Sequence, residues 1–75
     1  MLEKLLAIIK EYVNIDVSAI NEKSVLRSDI GINSLELVQL ISDIEDEFEI
    51  EIPDRAIRSF RTVEDVIDFI ESATK

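Results

Sequence analysis

Apolar positions recur at three- and four-residue spacing through most of the chain and alternate convincingly nowhere, a pattern that predicts helices and no sheet. Leu2, Leu5, Leu6, Ile9, Tyr12 and Val13 form one stripe, predicting an amphipathic helix over roughly 2 to 14. Leu37, Leu40, Ile41, Ile44 and Phe48 form another, predicting a helix from Ser34 to about Phe48 or Glu49. Leu35 and Val38 fall off that stripe and are expected at the surface. Val63, Val66, Ile67, Phe69 and Ile70 supply the buried side of a last helix. Phe48, Phe60 and Phe69 follow the same periodicity and read as core residues rather than a stacking site.

The breaks are equally informative. From Asn14 to Ile30 the pattern is irregular, and Asp16, Ser18, Asn21, Ser24 and Ser28 offer side-chain turns and caps. Val17, Ile20, Val25 and Leu26 can pin this segment to the core, so it reads as a long ordered loop with room for one helical turn. Gly31 is the only glycine, expected where the backbone needs a conformation other residues resist. Pro53 closes the second helix region, with Glu49-Ile50-Glu51-Ile52 read as a loop holding two buried isoleucines. Asp54 can then cap a short helix through Arg55, Ala56, Ile57 and Arg58, ending near Ser59. Thr62 can cap the last helix, with Glu64 and Asp65 complementing its dipole. The expected fold is all-α: a four-helix bundle of three longer helices and one short third helix, with a long loop between helices one and two.

Composition narrows the chemistry. Over 75 residues one core is expected, and cysteine and histidine are both absent. Disulfides, thiolate chemistry, zinc sites and histidine acid–base catalysis are thereby excluded. The net charge of −9 disfavours nucleic acid and anionic lipid and favours partners with basic surfaces. Between Arg27 and Arg55 there is no lysine or arginine, while Asp29, Glu36, Asp43, Glu45, Asp46, Glu47, Glu49, Glu51 and Asp54 fall in that interval. One side of the domain is expected to be strongly negative. Charges at Glu3, Lys4, Lys10 and Glu11 leave an apolar run too short for a signal peptide or membrane span, so a cytoplasmic protein is expected.

The candidate working residue is Ser34. Its hydroxyl can cap the second helix, or remain exposed and carry a covalent phosphate beside the helix's positive end. No twelve-residue loop with ligands at alternate positions is present, so no metal site is assigned. Neither a nucleophile with a base nor a desolvated carboxylate pair is recognisable, so no catalytic residue is assigned and an enzyme is not expected.

Asp29-Ile30-Gly31-Ile32-Asn33-Ser34-Leu35 followed by a helix resembles the phosphopantetheine attachment region of acyl carrier proteins. Glu45-Asp46-Glu47-Phe48 with Ile52-Pro53-Asp54 looks like that family's acidic helix end and the start of its short third helix. Thr62-Val63 with Asp65, Ile67 and Ile70 is similar to its closing helix. In this order the three segments span essentially the whole chain, so residues 1–75 read as a single acyl-carrier-like domain.

The resemblance implies that Ser34 carries 4′-phosphopantetheine from coenzyme A, added by a phosphopantetheinyl transferase. It also implies that acyl groups ride as thioesters on the arm's sulfur, on a monomeric, freestanding carrier that catalyses nothing. Partners would be acyl-transferring and chain-modifying enzymes of fatty-acid or related synthesis with basic docking surfaces, meeting Leu35, Glu36, Val38, Glu45 and Asp46. Asn33 departs from the family's usual Asp, offering a weaker, neutral ligand for the transferase's metal ion. Gln39 stands where an acid is common and Ser42 where an apolar residue is. These three differences motivate a second reading, a specialised aminoacyl or polyketide carrier. A third reading is an unmodified acidic helical adaptor in which Ser34 is only a cap.

Overall fold

The structure, a computed structural model, describes residues 2–14 and 16–74. Helix α1 covers Leu2–Ile9 and buries Leu5, Leu6 and Ile9. It is shorter than the apolar stripe suggested, because the chain tightens after Ile9. The amides of Glu11 and Tyr12 donate three residues back, to the Ile8 and Ile9 carbonyls at 3.1 and 3.0 Å. That tightening brings the Tyr12 hydroxyl to the Asp43 carboxylate on the second helix, to which it donates a hydrogen bond. The bond favours the neutral phenol, and the Tyr12 pKa is pushed up to about 12.

The long connection is ordered by its own side chains. Asp16 accepts from the Ser18 amide and hydroxyl at 3.0 and 2.6 Å, opening a 3₁₀ turn over Val17–Ala19. These bonds hold the Asp16 carboxyl below its usual range. The Val17 side chain, expected to face the core, lies outside the described residues, whereas Ile20 packs half-buried against it. The next stretch is stitched to the start of the last helix. The Leu26 amide donates to the Arg61 carbonyl at 2.8 Å and the Val63 amide to that of Ser24 at 3.1 Å. This local bridge between Val25 and Thr62 is strand-like, so side chains alternate across it. Ser24 and Leu26 turn inward and Val25 turns outward, contrary to the expectation that Val25 would face the core. A π-helical turn over Leu26–Ile30 follows, supplying the anticipated helical turn in wider form.

Helix α2 covers Ser34–Phe48 and buries Leu40, Ile41 and Ile44. It ends where Glu49 adopts a left-handed conformation with φ of 55°. The Glu45 carboxylate then accepts from the Ile52 amide at 2.8 Å, fixing the loop that buries Ile52 and half-buries Ile50. The short helix α3 covers Asp54–Ser59. Its cap is Pro53, not Asp54: the Pro53 carbonyl accepts from the Ala56 and Ile57 amides, and Asp54 is already helical. Helix α4 covers Val63–Ala73, with Thr62 as its cap.

The four helices enclose one apolar core in which Leu5, Ile9, Leu40, Ile44, Val63, Val66 and Ile70 are almost wholly buried. Phe48, Phe60 and Phe69 lie half-buried at its margin, the last two in an edge-to-face pair with centroids 5.9 Å apart. Among the described residues no helix is long and apolar enough to cross a membrane.

Two outcomes follow for stability. Ile44→Ala removes a side chain with no exposed surface and is expected to cost about 2–5 kcal/mol, read as a lower urea midpoint. At the α4 cap, Asp65 accepts from the Arg61 and Thr62 amides at 3.0 and 3.1 Å, which holds its carboxyl below the usual range. A folded pKa below the unfolded one stabilises the fold above the unfolded carboxylate pKa of about 4, and that contribution vanishes as pH falls through the folded value. Asp65→Asn should therefore melt lower than the native protein near neutral pH, with the gap closing in acid across a pH series of thermal melts.

Candidate functional site

The start of α2 is built from three consecutive backbone decisions. Gly31 ends the π-helical turn in a left-handed conformation, φ 87°, and its amide donates to the Leu26 carbonyl at 3.0 Å. No atom lies within 4 Å of where a Cβ would stand, so the glycine is required by its backbone conformation, not by crowding. Ile32 is buried and anchors the strand of chain between turn and helix. Asn33, extended at φ −87° and ψ 175°, is the N-cap.

The cap is reciprocal. The Glu36 amide donates to Asn33 Oδ1 at 2.8 Å, and the Asn33 amide donates to Glu36 Oε1 at 3.1 Å. Ser34 is thereby relieved of the capping role that the sequence left open to it. It is the first residue of the helix proper, exposed, and its Oγ accepts a hydrogen bond from Arg27 Nη2 at 3.3 Å. A guanidinium cannot take a proton, so this pairing orients the hydroxyl without activating it as a nucleophile. The Ser34 and Leu35 amides belong to the first turn, where no intrahelical acceptor exists, and the helix dipole adds positive potential there. An exposed hydroxyl, first-turn amides and a guanidinium together fit a phosphate ester.

Ser34 borders a groove of about 640 Å³ between α2, α3 and the bridge segment. Leu37, Val38, Ile57 and Phe60 give it an apolar wall, and Arg27, Arg58 and Arg61 line it with guanidinium groups. Three of the eight basic residues of a strongly acidic chain thus meet around one groove. The sequence shows the cation-free interval from Arg27 to Arg55, but not that the fold brings Arg27 to the same groove as Arg58 and Arg61.

The residues expected to meet partners divide into two groups. Leu35 and Val38 are 68% and 58% exposed, and with Gln39, Ser42 and Asp46, also exposed, they share one face of α2. Glu36 and Glu45 are half-buried and committed to backbone amides, the first in the capping box and the second at Ile52.

Comparison with known proteins covers nearly the whole chain. Residues 3–70 match the family described as phosphopantetheine attachment site. An acyl carrier protein of Campylobacter jejuni subsp. doylei is 36% identical over 69 residues, covering 92% of this chain and 90% of that protein. Another, from Campylobacter jejuni, is 38% identical over the same shares. A solved structure of a putative acyl carrier protein from Mycobacterium tuberculosis superposes with a TM-score of 0.86 at 37% identity, covering 95% of each chain.

The cap geometry has a direct test. Asn33→Ala should cost about 0.5–2 kcal/mol and leave the first turn of α2 frayed, whereas Asn33→Asp should match the native protein within a few tenths. Chemical denaturation with amide hydrogen exchange at Glu36 reads both effects.

Proposed function

The chain belongs to the acyl carrier protein family, whose members carry 4′-phosphopantetheine as a covalently attached prosthetic group, and on that premise we propose that the arm is attached at Ser34. The carrying observation is that Asn33, not Ser34, caps α2, which leaves the Ser34 hydroxyl exposed at a helix N-terminus that favours a phosphodiester. When bound, the group supplies a thiol that carries acyl groups as thioesters, chemistry this cysteine-free chain lacks. The chain's own part is to bind and present. The first-turn amides and Arg27 stand at the ester, and the apolar wall of Leu37, Val38, Ile57 and Phe60 offers shelter from water.

We propose acyl cargo of fatty-acid or related synthesis in preference to aminoacyl cargo. The three guanidinium groups lining the groove disfavour the ammonium of an aminoacyl thioester by like-charge repulsion. The proposed setting is the cytoplasm. Docking of acyl-transferring and chain-modifying enzymes is proposed on the α2 face, with Leu35 and Val38 as apolar contacts and Asp46 as a charged rim residue. Glu36 and Glu45 border that face and keep it in shape through their backbone bonds.

Incubation with coenzyme A and a phosphopantetheinyl transferase is expected to raise the intact mass by one prosthetic group in the native protein and not in Ser34→Ala. Modification surviving in Ser34→Ala, or protein isolated from its own cell without the arm and functional as Ser34→Ala, would overturn the proposal in favour of an unmodified adaptor. Loading by an aminoacyl-activating enzyme alone would transfer it to the specialised class. For docking, Asp46→Lys is expected to weaken binding to a basic partner enzyme several-fold at low salt and to flatten its salt dependence, as read by titration calorimetry. Asp46 is the diagnostic position, since Asp46 is exposed and free of that backbone bond, whereas reversal at Glu45 also removes the acceptor for Ile52.

A further inference from the structure

We infer that Arg27 grips the phosphodiester by which the arm is joined to this chain, and that attachment thereby ties the π-helical turn to the start of α2. The inference rests on the attachment at Ser34 proposed above and adds to it a positioning residue outside the attachment motif.

Arg27 Nη2 already donates to Ser34 Oγ at 3.3 Å. In the ester that oxygen is bonded to phosphorus, and the two free oxygens that share the negative charge stand one bond further on. A guanidinium within hydrogen-bond distance of Oγ therefore reaches them by a small rotation of a flexible side chain. The esterified Oγ is a poorer acceptor than a free hydroxyl, while the charged oxygens are much better ones and match the planar guanidinium fork with two parallel donors. The first-turn amides of Ser34 and Leu35 offer further donors. Charge distribution points the same way. Asp29 and Glu36 flank this corner of the surface, and the nearest cations along the sequence on either side of Ser34 are Arg27 and the distant Arg55. Arg58 and Arg61 line the groove that Ser34 borders, but Arg27 is the guanidinium hydrogen-bonded to the Ser34 hydroxyl.

The grip has a mechanical consequence. Arg27 belongs to the turn Leu26–Ile30, whose first amide is bonded to the Arg61 carbonyl ahead of α4. In the unmodified protein the side-chain link from that turn to α2 is one exposed hydrogen bond between neutral hydroxyl and guanidinium. In the modified protein it becomes an ion pair with two-point geometry, so the turn, the root of the arm and the helix end move together. The arm then leaves Ser34 from a fixed origin beside the groove that Arg27 also lines.

The test uses intact protein, modified with coenzyme A and a transferase and verified by mass. Arg27→Gln and Arg27→Lys are compared with Arg55→Gln, which removes the same charge from an exposed α3 position outside the groove lining. The ³¹P resonance of the phosphodiester is expected to shift in Arg27→Gln, to shift less in Arg27→Lys, and to stay in place in Arg55→Gln. Attachment should also raise Tm by several degrees more in the native protein than in Arg27→Gln. If the fully modified Arg27→Gln keeps the native ³¹P resonance and the native Tm increment, the grip is overturned and the attachment stands. No mass increase in the native protein, or an increase surviving in Ser34→Ala, overturns the attachment itself. Should Arg27→Gln resist modification, side-chain ¹⁵N relaxation of Arg27 in the native protein decides: ordering on attachment supports the grip, and unchanged mobility overturns it.

Discussion

A helix of fifteen residues begins with amides that have no partner inside it, and something at the N-terminus must accept from them. In this protein the acceptor is the side chain of Asn33, and the chemistry available at Ser34 depends on that choice. A cap one position later would fold the serine hydroxyl back onto the helix amides and spend it on structure. With the cap at Asn33, the serine becomes the first helical residue and its hydroxyl faces solvent. The left-handed Gly31 and the buried Ile32 deliver Asn33 to that position, so the glycine turn acts on Ser34 through the residue between them. Asn and Asp are equally good caps. The exchange of an expected Asp for Asn33 therefore keeps the local fold while removing one negative charge beside a proposed phosphate.

The same economy runs through the acidic residues. Glu36 closes the capping box, Asp43 receives the Tyr12 hydroxyl, Glu45 holds the Ile52 amide and Asp65 holds two amides ahead of α4. Each is a carboxylate that satisfies a polar group the chain would otherwise leave to water or leave unpaired. A net charge of −9 on so small a chain produces self-repulsion, and part of that charge is placed where it closes turns and helix ends. Asp46 and Glu47, both exposed, are left to give the outer side of α2 its sign.

Periodicity made the helices legible, since burial of Leu40, Ile41 and Ile44 with exposure of Leu35 and Val38 follows directly from spacing. It overextended α1, because Tyr12 and Val13 continue the apolar stripe while the amides of Glu11 and Tyr12 have already moved to carbonyls three residues back. Val25 misled for a related reason: a single bridge to Thr62 imposes a two-residue alternation on a segment with no strand-like sequence around it. At Asp54, residue preference favoured an acidic cap, but a proline carbonyl ahead of it took the amides instead. Ser34 was legible as a candidate from the motif around it. That its neighbour does the capping, and that Arg27 reaches it across the turn, required three-dimensional placement of residues seven apart in a segment with no regular period.

The two flanks of Ser34 differ in sign, and this difference organises the proposed carrier. On one flank lies the outer face of α2, where exposed Leu35 and Val38 are followed by Asp46. On the other lies the groove lined by Arg27, Arg58 and Arg61. A partner with a basic surface is attracted to the first and repelled by the second, so its approach is oriented before any contact forms. A phosphodiester at Ser34 experiences the opposite preference and is drawn to the arginine flank. On the proposed reading, protein partner and arm root would thus be sorted to different sides of one residue, and Val38, which both lines the groove and stands exposed on the helix face, marks the seam between them.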